Sequence, residues 1–243
     1  MKQHFENYSS QDHQVWNTLF DRQFENLQDK AVAYLYPCLE VAKAALNGSG
    51  VPDFELLSPA LEAATGWSIE VVPGLIPVED FFQLLEQRRF PSSTWLRKPE
   101  QLDYLEEPDM FHDVFGHIPL LFNPQYADFM QCFGALGLSC ADSPEWVAAL
   151  ERLYWFTIEF GVCGPMESKE IYGAGILSSF GESKQIYVPG ACEFRPFELD
   201  AVLNHQFQKH IMQAVYYVLP DFESLFGVLD AVAAKVSSSY RAL

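Results

Sequence analysis

The sequence is poor in positive charge and has no long uncharged apolar run. It contains 15 lysine and arginine residues and 33 acidic residues, which gives a formal net charge of -18. Affinity for nucleic acids or anionic membranes depends on clustered basic side chains, so both classes of partner are disfavoured. No segment approaches the roughly 18 to 20 uncharged residues of a membrane span, and the polar start lacks the apolar core of a signal peptide. We therefore expect a soluble protein made without export.

Paired cysteines and internal repeats are also missing. The five cysteines form an odd set without CxxC spacing, which argues against a disulfide framework and against a thiolate zinc site. Free thiols and a cytoplasmic location are the expectation. Low-complexity tracts and charge blocks that would mark a linker are absent too. For 243 residues, these features predict a single domain spanning 1–243.

The sequence does contain helical patterning over most of its length. Ser9 and Ser10 precede an apolar stripe that runs to Leu27, which predicts a capped first helix. A second helix is expected around Pro37, and the segment 47–50 is expected to break it. Further helices are predicted at 109–117, 124–138, 143–161 and 220–242, and short strands at 68–72, 185–188 and 214–219. The pattern predicts a mainly α fold with small peripheral β elements.

Another helix is indicated by the placement of its charges. Pro77 stands at a first helical position, Glu79 and Asp80 follow in the first turn, and Arg88 and Arg89 fall in the last turn. Proline fits a first turn, and acids near the start with bases near the end complement the helix dipole. The pattern therefore predicts one helix that includes both arginines.

Two of the six histidines, His112 and His117, stand five residues apart in EPDMFHDVFGH. On a regular helix this offset turns the second side chain by about 140° from the first, so both reach one metal ion only if the helix ends or distorts between them. Gly116 and Pro119 allow either outcome. The alternative is one core histidine and one solvated histidine.

Glu159 is the only charged residue of LYWFTIEFGVCGPM, which covers 153–166. An ionised carboxylate among core residues is costly unless it is paired, protonated or bound to a metal. With two imidazoles it would complete the facial triad that suits Fe(II). A buried pair with Arg152 or Arg97, a neutral acid, or a zinc site are the alternatives. The HExxH pattern of zinc peptidases is missing, which favours iron.

Three segments, EPDMFHDVFGHIPLL, LYWFTIEFG and IYGAGILSSFGE, resemble the signature segments of the pterin-dependent aromatic amino acid hydroxylases. The likeness covers roughly Ser9 to Ser239 and is strongest to bacterial members that act on phenylalanine. It implies the catalytic-domain fold of that family. It also implies hydroxylation of free L-phenylalanine to L-tyrosine with Fe(II), tetrahydrobiopterin or a related tetrahydropterin, and dioxygen.

The resemblance also assigns roles to individual residues. The family's iron ligands fall on His112, His117 and Glu159. Arg97 and Ser178 take the places of the residues that hold the substrate carboxylate, for which a planar guanidinium is well suited. Trp155 is expected to shape the pocket for the substrate ring. The alternatives are a surface cation, an ordinary loop hydroxyl and a plain core residue, respectively.

Other residues fall at the positions expected around the pterin. Phe81 takes the place of the ring that stacks on it, and Asp113 the place of a nearby acid. Tyr154 is expected to wall the iron cavity beside the pterin, and core packing is the alternative for Phe81 and Tyr154. Asp109 is expected to orient Arg97 or the backbone beside the iron, and a helix N-cap fits its position equally well.

Two positions depart from the family pattern. Leu105 replaces a hydroxyl residue found in several animal relatives near the substrate, and Glu151 replaces a residue that is often small near the pterin. Substrate and pterin preference therefore stay open, with tryptophan, tyrosine or another ring position as alternatives. A zinc hydrolase and a non-catalytic metal or amino-acid binding protein are alternatives from other classes. The 243 residues contain neither a regulatory domain nor a tetramerisation helix of this family, so we expect a monomer.

Overall fold

Helices dominate the fold. The computed structural model describes residues 1–45, 50–103, 105 and 107–241, so most of the predicted break at 47–50 lies outside the described residues. The α-helices are α1 (Ser10–Asn26), α2 (Leu35–Ala45), α3 (Phe54–Thr65), α4 (Val78–Glu86), α5 (Ile118–Leu121), α6 (Pro124–Ser139), α7 (Pro144–Tyr154), α8 (Ala174–Leu177), α9 (Phe180–Gln185), α10 (Leu199–Asn204) and α11 (Val228–Arg241). Across the described ranges, no helix is both long and apolar enough to cross a membrane.

Wider and tighter turns complete the helical part of the chain. Two π-helical turns cover His112–His117 and Trp155–Glu159, and we call them the first and second π-turns. Short 3₁₀ turns cover Phe5–Asn7, Pro99–Gln101 and Glu223–Gly227. Because π-helical turns are rare and occur often at functional sites, both turns are candidate functional segments.

The β structure is small. The strands are β1 (Ser68–Val71), β2 (Arg89–Ser92), β3 (Val162–Cys163), β4 (Glu170–Ile171), β5 (Glu193–Pro196) and β6 (Val215–Leu219). β1 and β2 form a parallel pair, and the other four form a sheet in the order β4-β3-β6-β5. β4 is antiparallel to β3, whereas β3 and β5 are both parallel to β6. The predicted mainly α fold with small β elements is confirmed.

The first helix begins as its sequence predicts. The Ser9 hydroxyl accepts the Asp12 N–H at 3.2 Å, and the Asp12 carboxylate accepts the Ser9 N–H at 2.7 Å, which forms a capping box. Along α1, Val15, Trp16 and Leu19 are buried. The capped helix therefore lays its apolar face on the core.

Helices α4 and α6 approach closely because α6 carries glycines at the contact. A Cβ atom on Gly137 would lie 2.3 Å from the ring of Phe82, and one on Gly134 would lie 2.4 Å from the Glu86 nitrogen. These distances leave no room for a side chain. The close packing fixes α4, and with it Phe81, relative to the centre of the molecule.

The helix predicted to include Arg88 and Arg89 ends before both residues. α4 begins after its N-cap Pro77 and ends at Glu86, and Arg88 has a φ of 55°. Arg88 donates from Nε to Gln131 Oε1 at 2.8 Å, and Arg89 is the first residue of β2. Arg88 and Arg89 therefore form tertiary and strand contacts, and they do not lie in the last turn of the helix as the charge pattern had predicted.

The strand predicted at 185–188 is also wrong. The hydroxyl of Ser179 accepts the Glu182 N–H at 3.3 Å and starts α9, which continues to Gln185. The next strand is β5, and a left-handed Gly190 (φ 77°) lies between the two elements. A local cap therefore overrides the β propensity of Ile186 and Val188.

Candidate metal centre and substrate cleft

The first π-turn places His112 and His117 on the same side of one continuous helix. Hydrogen bonds from i to i+5 widen the turn, so five residues complete about one revolution. The two Nε2 atoms lie 3.2 Å apart. The distortion required by the five-residue spacing is therefore present, and the helix continues through it into α5.

Gly116 lets this helix lie close to α8. A Cβ atom at Gly116 would lie 2.8 Å from the carbonyl oxygen of Ala174. The close approach brings Ser178, which follows α8, next to the first π-turn. The glycine therefore contributes close packing here, in addition to lying in the distorted turn that the sequence predicts for it.

The second π-turn ends at Glu159 and turns its carboxylate towards the histidines. Oε1 lies 3.1 Å from His117 Nε2, and Oε2 lies 3.5 Å from His112 Nε2. One potential ligand atom from each residue lies within 4.8 Å of the other two. In the described ranges, this is the one group of three or more such residues with metal-binding spacing.

The arginines considered as partners of Glu159 are engaged elsewhere. Arg152 donates from Nε to the carbonyl oxygen of Leu203 at 2.6 Å. Arg97 is held by Asp109, at 2.8 Å for both Nε to Oδ2 and Nη2 to Oδ1. The ionic contacts of Glu159 are with the two histidines. The structure therefore brings the three predicted ligands together and does not form the alternative acid–arginine pair.

Ser178 determines which nitrogen of His112 carries the proton. Its hydroxyl donates to the carbonyl oxygen of Ala174 at 2.8 Å and lies 2.9 Å from His112 Nδ1. Because the hydroxyl has a single proton, it accepts from His112, and Nδ1 is the protonated atom. The lone pair of His112 Nε2 then faces His117 and Glu159. This tautomer suits a metal ligand.

Burial and charge favour a neutral His112 beside an ionised Glu159. Burial lowers the pKa of His112 to about 4, although Glu159 acts in the opposite direction. Burial acts to raise the pKa of Glu159, but His117, His112 and a hydrogen bond from Tyr154 outweigh it, and the net shift is downwards. Imidazole lone pairs and a carboxylate converging on one point repel each other unless a cation lies between them. The donor set therefore fits a divalent metal ion.

Asp109 fulfils both roles considered for it. Besides binding Arg97, its Oδ1 accepts the backbone N–H of His112 at 3.1 Å, as a helix cap does. Asp109 is fully buried and Arg97 is 6% exposed. The salt bridge is thus buried and hydrogen-bonded on several sides, which compensates for much of the cost of desolvation.

A cavity of about 460 Å³, which we call the site cleft, connects these groups. All predicted site residues except Asp109 line it: Phe81, Arg97, His112, Asp113, His117, Tyr154, Trp155, Glu159 and Ser178. Asp109 lies behind Arg97. Residues that are distant in the sequence therefore share one cleft.

One side of the site cleft is aromatic and acidic. The rings of Phe81 and Tyr154 meet edge to face with centroids 5.2 Å apart. The Asp113 carboxylate accepts hydrogen bonds from the N–H and the hydroxyl of Ser93 at 2.8 and 3.0 Å. Burial raises the pKa of Asp113 to about 7, against the bond from the Ser93 N–H, which lowers it. A planar ligand with hydrogen-bond donors suits this side.

Comparison with known proteins adds to this geometry. The model of the biopterin-dependent aromatic amino acid hydroxylase family matches residues 4–242. The chain belongs to this family. Among curated relatives, the phenylalanine-4-hydroxylase of Ralstonia nicotianae is 42% identical over the whole chain and 76% of the relative. That of Pseudomonas aeruginosa is 42% identical over 98% of the chain and 89% of the relative.

Solved structures of a biopterin-dependent hydroxylase agree in fold. Phenylalanine hydroxylase from Chromobacterium violaceum with bound Fe(III) superimposes with a TM-score of 0.88, at 42% identity over 95% of this chain and 82% of that one. The same enzyme with iron(III) and 7,8-dihydrobiopterin gives 0.88 at 40% identity, over 98% and 86% of the two chains. With iron and phenylalanine it gives 0.86 at 39% identity, over 94% and 82%. The expected family and its catalytic-domain fold are confirmed.

The sequence reasoning missed some residues of this hydroxylase's cleft. Phe207 stacks on Trp155 with centroids 4.3 Å apart and planes 15° apart. Glu182 also lines the cleft, and Gln213 lies behind Trp155. Glu182 stands in the SSFGE part of a recognised motif, where a buried acid could have been noticed. Phe207 and Gln213 lie in a loop without any local signal.

Proposed function

We propose that this chain is an Fe(II)- and tetrahydropterin-dependent monooxygenase that hydroxylates free L-phenylalanine to L-tyrosine with dioxygen. The observation that carries the proposal is the convergence of two imidazoles and one carboxylate in the same cleft as a buried arginine. The curated relatives are phenylalanine-4-hydroxylases, and a solved relative holds iron and phenylalanine. No other reaction class is favoured by a specific feature of the described cleft.

His112, His117 and Glu159 hold the iron in this proposal. Together with a reduced pterin, ferrous ion supplies the activation of dioxygen. Ser178 keeps the proton of His112 on Nδ1, so that Nε2 is available without a change of tautomer. Because Glu159 is ionised and only 14% exposed, its charge offsets part of the charge of a divalent cation.

Arg97 binds the carboxylate of the amino acid. Asp109 occupies Nε and Nη2, which orients the guanidinium plane and is compatible with a second carboxylate on the Nη1 side. Ser178 also lines the cleft, and in this proposal its hydroxyl proton turns from the carbonyl oxygen of Ala174 to the substrate carboxylate, while the hydroxyl oxygen still accepts from His112 Nδ1. The clamp disfavours a residue inside a peptide chain, because such a residue has no free carboxylate.

Aromatic side chains hold the two planar ligands. The stacked rings of Trp155 and Phe207 form one wall, which suits the phenyl ring of the substrate. Phe81 and Tyr154, with Asp113 nearby, form the side assigned to the pterin. These partly buried apolar walls limit the access of water to the reacting ring. The protein binds and orients its ligands, and no protein nucleophile is needed.

Reconstitution tests the proposal. Apoprotein is loaded anaerobically with Fe(II) or with Zn(II), then mixed in air with a tetrahydropterin and phenylalanine, tryptophan or tyrosine, and products are identified by mass spectrometry. Tyrosine formed from phenylalanine, only with iron and pterin together, is the expected result. Product with zinc alone or without pterin would overturn the assignment, and preferential hydroxylation of tryptophan would change the substrate.

The single domain, the monomeric state and the cytoplasmic location stay predictions from the sequence. Light scattering of the purified chain measures the mass in solution. A mass of one chain is expected, and a mass of two or four chains would contradict the prediction.

A further inference from the structure

Three neighbouring residues fix the orientation of the Trp155 indole. Its Nε1–H donates to Gln213 Oε1 at 2.9 Å, and its ring stacks on Phe207. The ring of Phe160 lies against it as well, with centroids 4.7 Å apart. Since Trp155 lines the site cleft, the orientation of its indole determines the shape of that wall.

Gln213 uses all of its hydrogen-bonding groups. Its backbone N–H donates to Glu182 Oε1 at 2.8 Å, and its carbonyl oxygen accepts from Gln185 Nε2 at 2.9 Å. Its Nε2 donates to the carbonyl oxygens of Gln208 and Ile211, both at 3.3 Å. An indole N–H only donates and a carbonyl oxygen only accepts, so the side-chain amide has one satisfactory orientation. Gln213 itself is 5% exposed, and the bond from its backbone N–H to Glu182 is buried.

Glu182, which accepts the backbone N–H of Gln213, is itself fixed by a second hydrogen bond. The other carboxylate oxygen of Glu182 accepts the hydroxyl of Tyr216, a fully buried residue of β6, at 2.7 Å. Glu182 belongs to α9, which begins directly after Ser178 and its N-cap Ser179. A single glutamine therefore connects the second π-turn, the loop 205–214 and the helix beside the predicted substrate clamp.

We infer that Gln213 is a positioning residue that sets the orientation of the Trp155 indole and thereby favours a phenyl ring over an indole as substrate. The inference rests on the proposed function and names a determinant of its substrate preference. Without the acceptor, the partly buried indole N–H loses its partner, and the ring gains freedom to turn away from the cleft. A wider and less ordered wall discriminates less between the two aromatic rings.

Gln213→Met tests this inference because it keeps the length of the side chain and removes its acceptor. We expect kcat/KM for phenylalanine to fall by about tenfold, mainly through KM, as for the loss of one partly buried hydrogen bond. The value for tryptophan should fall less or rise, so that the ratio of the two changes. An unchanged ratio would overturn the inference.

A double-mutant cycle separates positioning from general damage. Trp155→Phe removes the indole N–H, so adding Gln213→Met to this variant should change the substrate ratio by no more than about twofold. Binding of phenylalanine and of tryptophan to the iron-loaded proteins, measured by calorimetry, should show the same non-additivity. Equal effects of Gln213→Met in both backgrounds would contradict an action through Trp155.

Gln131→Met is the matched control. Gln131 is a partly buried glutamine that also binds on both sides, to Arg88 and to the carbonyl oxygen of Glu86, but it lies outside the site cleft. The Gln131→Met variant should leave the ratio of kcat/KM for phenylalanine and tryptophan unchanged. A change as large as that of Gln213→Met would overturn the inference. If Gln213→Met does not fold, Gln213→Leu removes the acceptor with a smaller side chain. That variant should show the same loss of preference for phenylalanine, and an unchanged ratio would contradict the inference.

The test distinguishes this inference from the proposed function. A wild-type protein that hydroxylates none of the aromatic amino acids would overturn the proposed function. The calorimetric cycle would then still decide whether Gln213 controls the choice between the two rings. An active wild type with an additive cycle would overturn the inference alone.

Discussion

Asp109 holds Arg97 through both oxygens of its carboxylate. Oδ2 accepts the side-chain Nε–H and the backbone N–H of Arg97 at 2.8 and 2.9 Å, and Oδ1 accepts from Nη2 at 2.8 Å. Because Oδ1 also caps the N–H of His112, one buried acid connects the proposed carboxylate clamp with the helix that carries two proposed iron ligands. The distance between the two sites is thereby set by a salt bridge.

Removing this acid should destabilise the protein strongly. Asp109→Ala leaves the guanidinium of Arg97 buried without its partner, so we expect the free energy of unfolding to fall by roughly 3–5 kcal/mol. Urea denaturation measures the change. Asp200→Ala is the control, because its bond to Lys235 at 2.7 Å lies at the surface and should contribute less than about 1 kcal/mol. Equal losses in both variants would contradict the buried role of Asp109.

Glu159→Ala should fold and yet bind iron poorly. The substitution removes one of three ligands, and it puts a small apolar side chain in place of a partly buried carboxylate without adding an unpaired charge. Iron content after anaerobic reconstitution measures iron binding, and the thermal midpoint of the metal-free protein shows whether the variant folds. Glu151→Ala changes another acid of the cleft and should retain iron. Full iron loading of the Glu159 variant would exclude this residue as a ligand.

Glu182 should make stability depend on pH. Burial raises the pKa of Glu182 above 4.5, against hydrogen bonds from Tyr216 and the Gln213 N–H that lower it. The folded state therefore keeps this proton longer than the unfolded state, and its contribution to stability is lost as pH rises from about 4.5 through the folded pKa. The unfolding free energy of wild type minus that of Glu182→Gln should decrease over this interval. A difference that rises with pH would contradict the raised pKa.

Gly137→Ala should disturb the packing that positions Phe81. The added Cβ atom would collide with the ring of Phe82, and such overpacking typically costs about 1–3 kcal/mol. We expect a lower thermal midpoint and weaker pterin binding by calorimetry. The control is Gly227→Ala, because a Cβ atom there meets no atom within 4 Å. Similar effects of both substitutions would argue against close packing as the cause.

Local signals in the sequence predicted several elements correctly. The serine cap of α1 and the strands near Ser68 and Val215 form where propensity and apolar pattern agree. At Ile186 and Val188 one local signal, the cap of α9, overrode another, and at Arg88 a distant contact competed with the local pattern. Arg88 binds Gln131 on another helix in place of the end of α4, and no short window contains that information.

The sequence by itself determined the chemistry of the site: two histidines five residues apart, a lone acid in an apolar segment, and three long motifs in family order. Residue types and their spacing along one chain are enough to limit the possible ligands. Only the tertiary structure decided that two π-turns direct His112, His117 and Glu159 to one point. It also decided that Gln213 holds Trp155. Such contacts join residues far apart in sequence, and packing of the whole core determines them.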